Sequence, residues 1–310
     1  MINSVKLLIA LLFLGLLFNC KQSNGSKDGK ETILKGSTTI VVDETLIPII
    51  EAQISIFQKE YKAKIKLIGK SENEISQSFF DDSSRLVVLS RKLNVEELKY
   101  FQNLKIEPKT TKIGTDAIAF ISNKADKDSL IALEEVVKFM QGKAQSSVNG
   151  LVFDNLNSST VRYMNDLAGL KTVAGKDIYS FKTNEEVLKY VSENDGMIGV
   201  VGLNWLYDPS SKVKEYLKNI NVLSVKGISK NVFVAPTQNN LAEGTYPLAR
   251  DLYIINCQGY SGLGMGFASF VAGDIGQRIV LKSGLLPFRT PGRKIIIKTK
   301  ANNENDNENE

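Results

Sequence analysis

The chain has 310 residues, 43% of them hydrophobic and 24% charged, enough for one or two domains of about 100–200 residues each. Its formal charge of +5 is scattered, with lysines beside acids as in Lys59-Glu60, which argues against nucleic acid and is compatible with an anionic partner. Histidine is absent, so Ser-His-Asp and Cys-His catalysis are excluded together with the commonest transition-metal ligand. Only Cys20 and Cys257 are present, so no disulfide framework exists, and neither a metal nor a cofactor is expected.

In chain order, Lys6 precedes an uncharged apolar run, Leu7 to Phe18, and then Asn19-Cys20. A basic start with an apolar run too short to span a bilayer predicts an export signal over residues 1–20. Leu16-Leu17-Phe18-Asn19-Cys20 resembles a lipobox, in which Cys20 is lipidated, although most lipoboxes carry Gly, Ala or Ser where Asn19 stands. Residues 21–30 read as a polar tether. The expectation is a cell-envelope protein facing the periplasm, held to the membrane by its lipid anchor only.

Strand-like apolar runs follow at Thr39–Val42, Ile65–Ile68, Leu86–Leu89, Ala117–Ile121, Ile198–Val201 and Val222–Val225. Leu46, Ile50, Ile54, Phe57 and Tyr61 mark one helix face, and Leu130–Met140 and Gly266–Leu281 also read as helices. Asn94 and Thr183 each stand three residues before a glutamate, as capping boxes require. This α/β alternation suits two doubly wound lobes better than a barrel, for which the strand-helix pairs are too few. Residues 298–310, rich in Asn, Glu and Asp, read as a disordered tail.

Two hydroxyl clusters adjoin predicted helix starts: Gly36-Ser37-Thr38-Thr39 and Asn157-Ser158-Ser159-Thr160-Val161-Arg162. Hydroxyls, unpaired amides and the positive end of a helix dipole in one place suit a tetrahedral oxyanion, and Arg162 adds a forked cation. Each cluster taken alone is equally well an ordinary helix cap. A shared cleft accounts for both together.

Six ordered motifs resemble the phosphate-binding proteins of ABC importers, in a Bacteroidetes-like lipoprotein subgroup. They are Gly36-Ser37-Thr38-Thr39; Arg85 to Arg91 with Glu96-Glu97; Gly114 to Phe120; Phe153 to Arg162; Gly196 to Gly202; and Tyr246 to Ile254 with Gly276-Gln277 and Gly284 to Pro287. The resemblance implies a two-lobed type II periplasmic-binding-protein fold with the ligand cleft between the lobes. It implies lobe one over 31–118 plus 246–297, lobe two over 119–245, and crossovers near Asp116–Ile121 and Thr245–Leu248. It further implies a monomer that binds inorganic phosphate or a similar oxyanion and serves an ABC permease. Ser37, Thr38, Thr39, Ser158, Ser159 and Thr160 match the family's ligand segments, and Ser71 stands in place of its Gly-Ser-Gly loop.

The family carries Asp and Arg where the aligned positions here hold Arg85 and Asp154, so a reciprocal charge swap across the cleft is expected. Two unrelated surface charges are the alternative. A sensor or assembly lipoprotein of the same fold, working without transport, is a competing reading. An exported Ser-Lys hydrolase is another, resting on one Ser-x-x-Lys match, Ser211-Lys212-Val213-Lys214. Cys257 and Trp205 read as packing residues.

Overall fold

The structure, a computed structural model, describes residues 31–292 except 81–84, 144–145, 174, 208 and 230. The expected export signal with Cys20, the tether, residues 293–297 and the acidic tail lie outside the described residues. Among the described residues, no helix is long and apolar enough to cross a membrane.

The strands are β1 (Lys35–Asp43), β2 (Lys62–Lys70), β3 (Leu86–Leu89), β4 (Lys109–Asn123), β5 (Leu130–Ala132), β6 (Leu151–Phe153) and β7 (Ile178–Ser180). They continue with β8 (Ile198–Gly202), β9 (Ile220–Val222), β10 (Ser224–Lys226), β11 (Phe233–Val234), β12 (Ala249–Asn256) and β13 (Leu286–Pro287). The main sheet runs β2-β1-β3-β12-β4-β8-β6-β7. β4 belongs to both halves: its residues up to Ala117 pair with β12, and from Ile118 onward they pair with β8. One long strand therefore carries the chain from the first lobe's sheet to the second's. The returning segment is bonded to it, since Tyr246 Oη donates to Ile118 O at 2.8 Å and Ile118 N donates to Leu248 O at 3.0 Å.

Helices α1 (Ile47–Glu60), α2 (Glu72–Phe80) and α3 (Val95–Asn103) alternate with the first strands. α4 (Leu133–Met140), α5 (Ser159–Ala168), α6 (Asn184–Glu193), α7 (Ser211–Leu217) and α8 (Gln238–Ala242) follow, then α9 (Leu263–Ala272) and α10 (Asp274–Lys282). The apolar face of α1 buries Ile50, Ile54 and Phe57, and Phe57 meets Phe267 and Phe270 edge-on at centroid distances of 5.4 and 5.2 Å. Both expected capping boxes form: Asn94 with Glu97 opens α3, and Thr183 with Glu186 opens α6. Cys257 is buried in the small cluster behind β3, and burial pushes its thiol up to about 12, as a packing residue requires.

Three expectations about elements change. Leu130–Ala132 forms β5, paired parallel to β10, so the helix begins only at Leu133. Val222–Val225 supplies two short strands, β9 on β4 and β10 on β5, rather than one. The stretch Gly266–Leu281 is two helices broken at Gly273, whose amide closes the first helix on Phe270 O. The second packs so tightly on the first that a Cβ at Gly276 would lie 2.4 Å from Val271 Cα.

Candidate functional site

Residues following the carboxyl ends of β1, β2 and β3 face residues following β6 and β8, as open α/β sheets place their ligand crevices. At the floor of this seam lies Arg250, 5% exposed, which pairs in register with Asp116 across β12 and β4. Its Nε and Nη2 donate to Asp116 Oδ2 at 3.1 and 2.9 Å. Its Nη1 donates to Ser159 Oγ at 2.9 Å and Thr160 Oγ1 at 3.4 Å, while Nη2 also reaches Thr45 Oγ1 at 3.2 Å. Thr45 Oγ1 and Ser159 Oγ lie 3.2 Å apart, one from each lobe. Asn204 Nδ2 and Trp205 Nε1 both donate to Thr45 O at 2.9 Å, adding second-lobe contacts to the same loop. Glycine at 202 permits this approach, because a Cβ there would meet Asn204 Nδ2 at 2.9 Å and Arg250 Nη2 at 3.4 Å.

α5 begins here because Ser158 Oγ accepts from Val161 N at 3.3 Å and caps it. Ser158 in turn donates to Asp154 Oδ1 at 2.6 Å, and Asn184 Nδ2 donates to Asp154 Oδ2 at 2.8 Å. One guanidinium thus faces three buried carboxylates, Asp43, Asp116 and Asp154. Burial opposes the charge on Arg250, but these neighbours hold its pKa above the ordinary guanidinium value. Burial pushes Asp154 up to about 7, against the lowering effect of the Ser158 hydrogen bond. Asp43 is likewise raised by burial, with Arg250 pulling the other way and the charge of Glu72 adding to the rise. Asp43 Oδ2 and Asp116 Oδ1 are buried without a hydrogen-bond partner.

Toward solvent the seam widens into a cleft of about 600 Å³ whose lining includes Arg91 and Asn94 from one lobe and Ser158, Arg162 and Asn165 from the other. The arrangement offers a helix N-terminus, hydroxyls and cations. Ser211 and Lys214, the Ser-Lys match, are exposed on α7.

The expected site residues divide into two groups. Asp154, Ser158, Ser159 and Thr160 come together at the start of α5, with Arg162 one turn on at the cleft wall. Ser71 follows β2, and its hydroxyl donates to Glu74 Oε2 at 2.6 Å, capping α2. Ser37, Thr38 and Thr39 need correction: β1 starts at Lys35, so they occupy its first half, and four residues of strand, about 13 Å, separate Thr39 from Asp43 at the cleft end. Thr38 Oγ1 instead accepts from Gln258 Nε2 at 3.4 Å. Arg85 needs the same correction. It precedes β3, about 13 Å of strand from Leu89, with its guanidinium over the Phe101 ring at 5.6 Å. The cation among the groups acting on Asp154 is Arg250.

Arg250, Asp116, Asp43, Thr45, Glu72 and Arg91 were not among the sequence candidates. A signal existed for some of them. Asp116 is the single charge of the Gly114–Phe120 motif, and Arg250 opens an otherwise apolar strand next to Asp251; a charge buried there needs a partner. Asp43-Glu44-Thr45 ends the apolar run of β1 immediately before α1, the position a doubly wound sheet gives to ligand loops.

Residues 27–274 match the family described as the PBP superfamily domain. No curated protein sequence matches the chain. Among solved structures, a substrate-binding protein assigned to phosphate ABC transport from Clostridium perfringens, with bound phosphate, is similar at a TM-score of 0.67 and 18% identity, over 82% of this chain and 100% of that one. An ABC-type phosphate transport receptor from Vibrio cholerae is similar at 0.58 and 14%, over 81% and 99%. OxyR from Corynebacterium glutamicum, in a C206 mutant, is similar at 0.54 and 13%, over 90% and 72%.

Proposed function

The chain belongs to the PBP superfamily-domain family, and from that membership we propose that it captures phosphate or a related oxyanion between its lobes. The reading makes it a monomeric, extracytoplasmic solute-binding lipoprotein that delivers its ligand to an ABC importer and performs no catalysis. Lobe one comprises 31–118 plus 246–297, and lobe two 119–245. One observation carries the proposal. The N-terminus of α5, with Ser158, Ser159 and Thr160 from lobe two, meets Thr45 and the buried guanidinium of Arg250 from lobe one. Oriented amides, hydroxyls and a desolvated cation are what an oxyanion requires of a protein that holds it without chemistry.

Titration calorimetry with inorganic phosphate tests this. Ser159→Ala and Thr45→Ala are expected to weaken binding by about 1.5–3 kcal/mol each, the range for a hydroxyl bonded to a charged group. Thr38→Ala, at the far half of β1, should bind as wild type. Equal effects at all three positions would contradict the placement.

The anchor rests on the apolar run that ends at Cys20. Cys20→Ala should abolish acyl labelling in cells. Undiminished labelling would remove the lipoprotein from this account.

A further inference from the structure

Glu72 opens α2, and its side chain is 4% exposed although charged. Arginines from both lobes hold it. Arg91, just beyond β3, donates through Nε to Oε1 at 2.8 Å. Arg162, on α5, donates through Nε to the same oxygen at 2.5 Å and through Nη2 to Oε2 at 3.3 Å. Each arginine also has a carboxylate of its own lobe. Arg91 donates to both oxygens of Glu97 at 2.8 and 2.9 Å, and Arg162 donates to Asp166 at 2.9 Å. Losing Glu72 therefore leaves neither cation without an anion.

The bound carboxylate lies in the lining of the interlobe cleft, and a second feature there points to a ligand. Asn165, 8% exposed and in the same lining, leaves its amide oxygen without a hydrogen-bond partner, an acceptor suited to the protonated oxygen of a hydrogen phosphate. The backbone beside Glu72 is fixed independently: Ser71 N and Oγ both donate to Glu74 Oε2, at 2.9 and 2.6 Å, and Asn73 N donates to Asn157 O across the seam at 3.3 Å. The Glu72 side chain can thus rotate away without unravelling the start of α2.

We propose that Arg91 and Arg162 form the anion seat of the cleft and that Glu72 is its internal occupant, displaced when an external oxyanion binds. The proposal rests on the oxyanion-capture reading and adds two ligand cations and a built-in competitor to it. A carboxylate and a phosphoryl group offer a guanidinium the same pair of oxygens, so exchanging one for the other preserves the fork geometry. In its internal position Glu72 also clamps the lobes together, so the cleft does not need cargo to hold its closed contacts. Ligand affinity then reports the difference between two anions for one seat rather than the full strength of the seat.

The sign of one substitution separates this from a supporting role. Glu72→Gln removes the competing charge at nearly constant shape. Calorimetric titration with inorganic phosphate should show binding tighter by roughly tenfold or more, the scale of one charged hydrogen bond. Arg91→Ala and Arg162→Ala should each weaken it. If Glu72 only orients the arginines, Glu72→Gln will bind phosphate equally or more weakly, and the proposal is overturned while the capture reading stands. If neither wild type nor variant binds any of phosphate, sulfate or molybdate, the capture reading falls and this inference with it. Should Glu72→Gln fail to melt cooperatively, Glu72→Asp, which retains the charge but shortens its reach, should also bind more tightly than wild type. A weaker Glu72→Asp would overturn the proposal equally.

Discussion

Arg250→Ala is expected to lower folding stability by about 3–5 kcal/mol at neutral pH, the scale for removing one partner of a buried ion pair. The guanidinium is 2% exposed in its side chain and Asp116 is fully buried. Deleting it removes the hydrogen-bonded cation of Asp116 and the donor to the hydroxyls of Thr45, Ser159 and Thr160. The defect should depend on pH. Without Arg250 the carboxylates are held further above their unfolded values, so the variant is least impaired in acid, where they are protonated, and loses ground as pH rises. Urea denaturation at pH 5 and pH 8 measures this. A loss below about 1 kcal/mol, equal at both pH values, would show that the ion pair does not organise the seam. Arg162→Ala, whose side chain is 35% exposed, should cost less, because the buried Glu72 carboxylate keeps Arg91 as its partner.

Asp154 should make the wild-type protein less stable as pH rises. Burial pushes its folded-state pKa from 3.8 to about 7, so the folded state prefers the protonated form. Its contribution is complete below about pH 4 and disappears as pH climbs through 7. Each pKa unit between the two states is worth about 1.4 kcal/mol, which sets a ceiling of roughly 4 kcal/mol for this group. Asp154→Asn keeps the shape and cannot ionise. The Asn184 amide can still donate to its oxygen, and the Ser158 hydroxyl can turn to accept. Its stability should therefore change less between pH 4 and pH 8 than that of wild type. The difference between the two denaturation profiles isolates the contribution of Asp154. Parallel profiles would mean that Asp154 is ionised in the folded protein across that range.

Much of the architecture was legible because periodicity and capping act locally. The strand of Leu86–Leu89, the apolar face of α1 and the Asn94 and Thr183 boxes each follow from a few neighbouring residues. The readings that changed depend on partners distant in sequence. Leu130–Ala132 joins apolar periodicity to the helix after it, and only the pairing with Ser224–Lys226 makes it a strand. The site follows the same division. Ser158, Ser159 and Thr160 were legible because Ser158 caps a helix whose first two residues are Ser159 and Thr160. Ser37, Thr38 and Thr39 stand apart from that cluster, because their hydroxyls precede the apolar core of β1, whereas Asp43 and Thr45 stand at its far end. Arg85 stands apart for a similar reason: its motif runs toward the cleft, and the arginine in the cleft lining is Arg91, six positions later. Arg250 lies 91 residues from Ser159, so no local pattern could join them.

The central claim is that an oxyanion binds between the lobes, where Trp205 reports on the contact through its hydrogen bond to Thr45 O. The most direct measurement is a titration of residues 21–310 with inorganic phosphate, followed together by calorimetry and by the fluorescence of the single tryptophan. Saturable one-to-one binding is expected, with heat and Trp205 emission saturating at the same concentration, and both signals weakened in a Thr45→Ala, Ser159→Ala double variant that still melts cooperatively. Phosphate binding of full strength in that double variant, with no change in Trp205 emission, would contradict it.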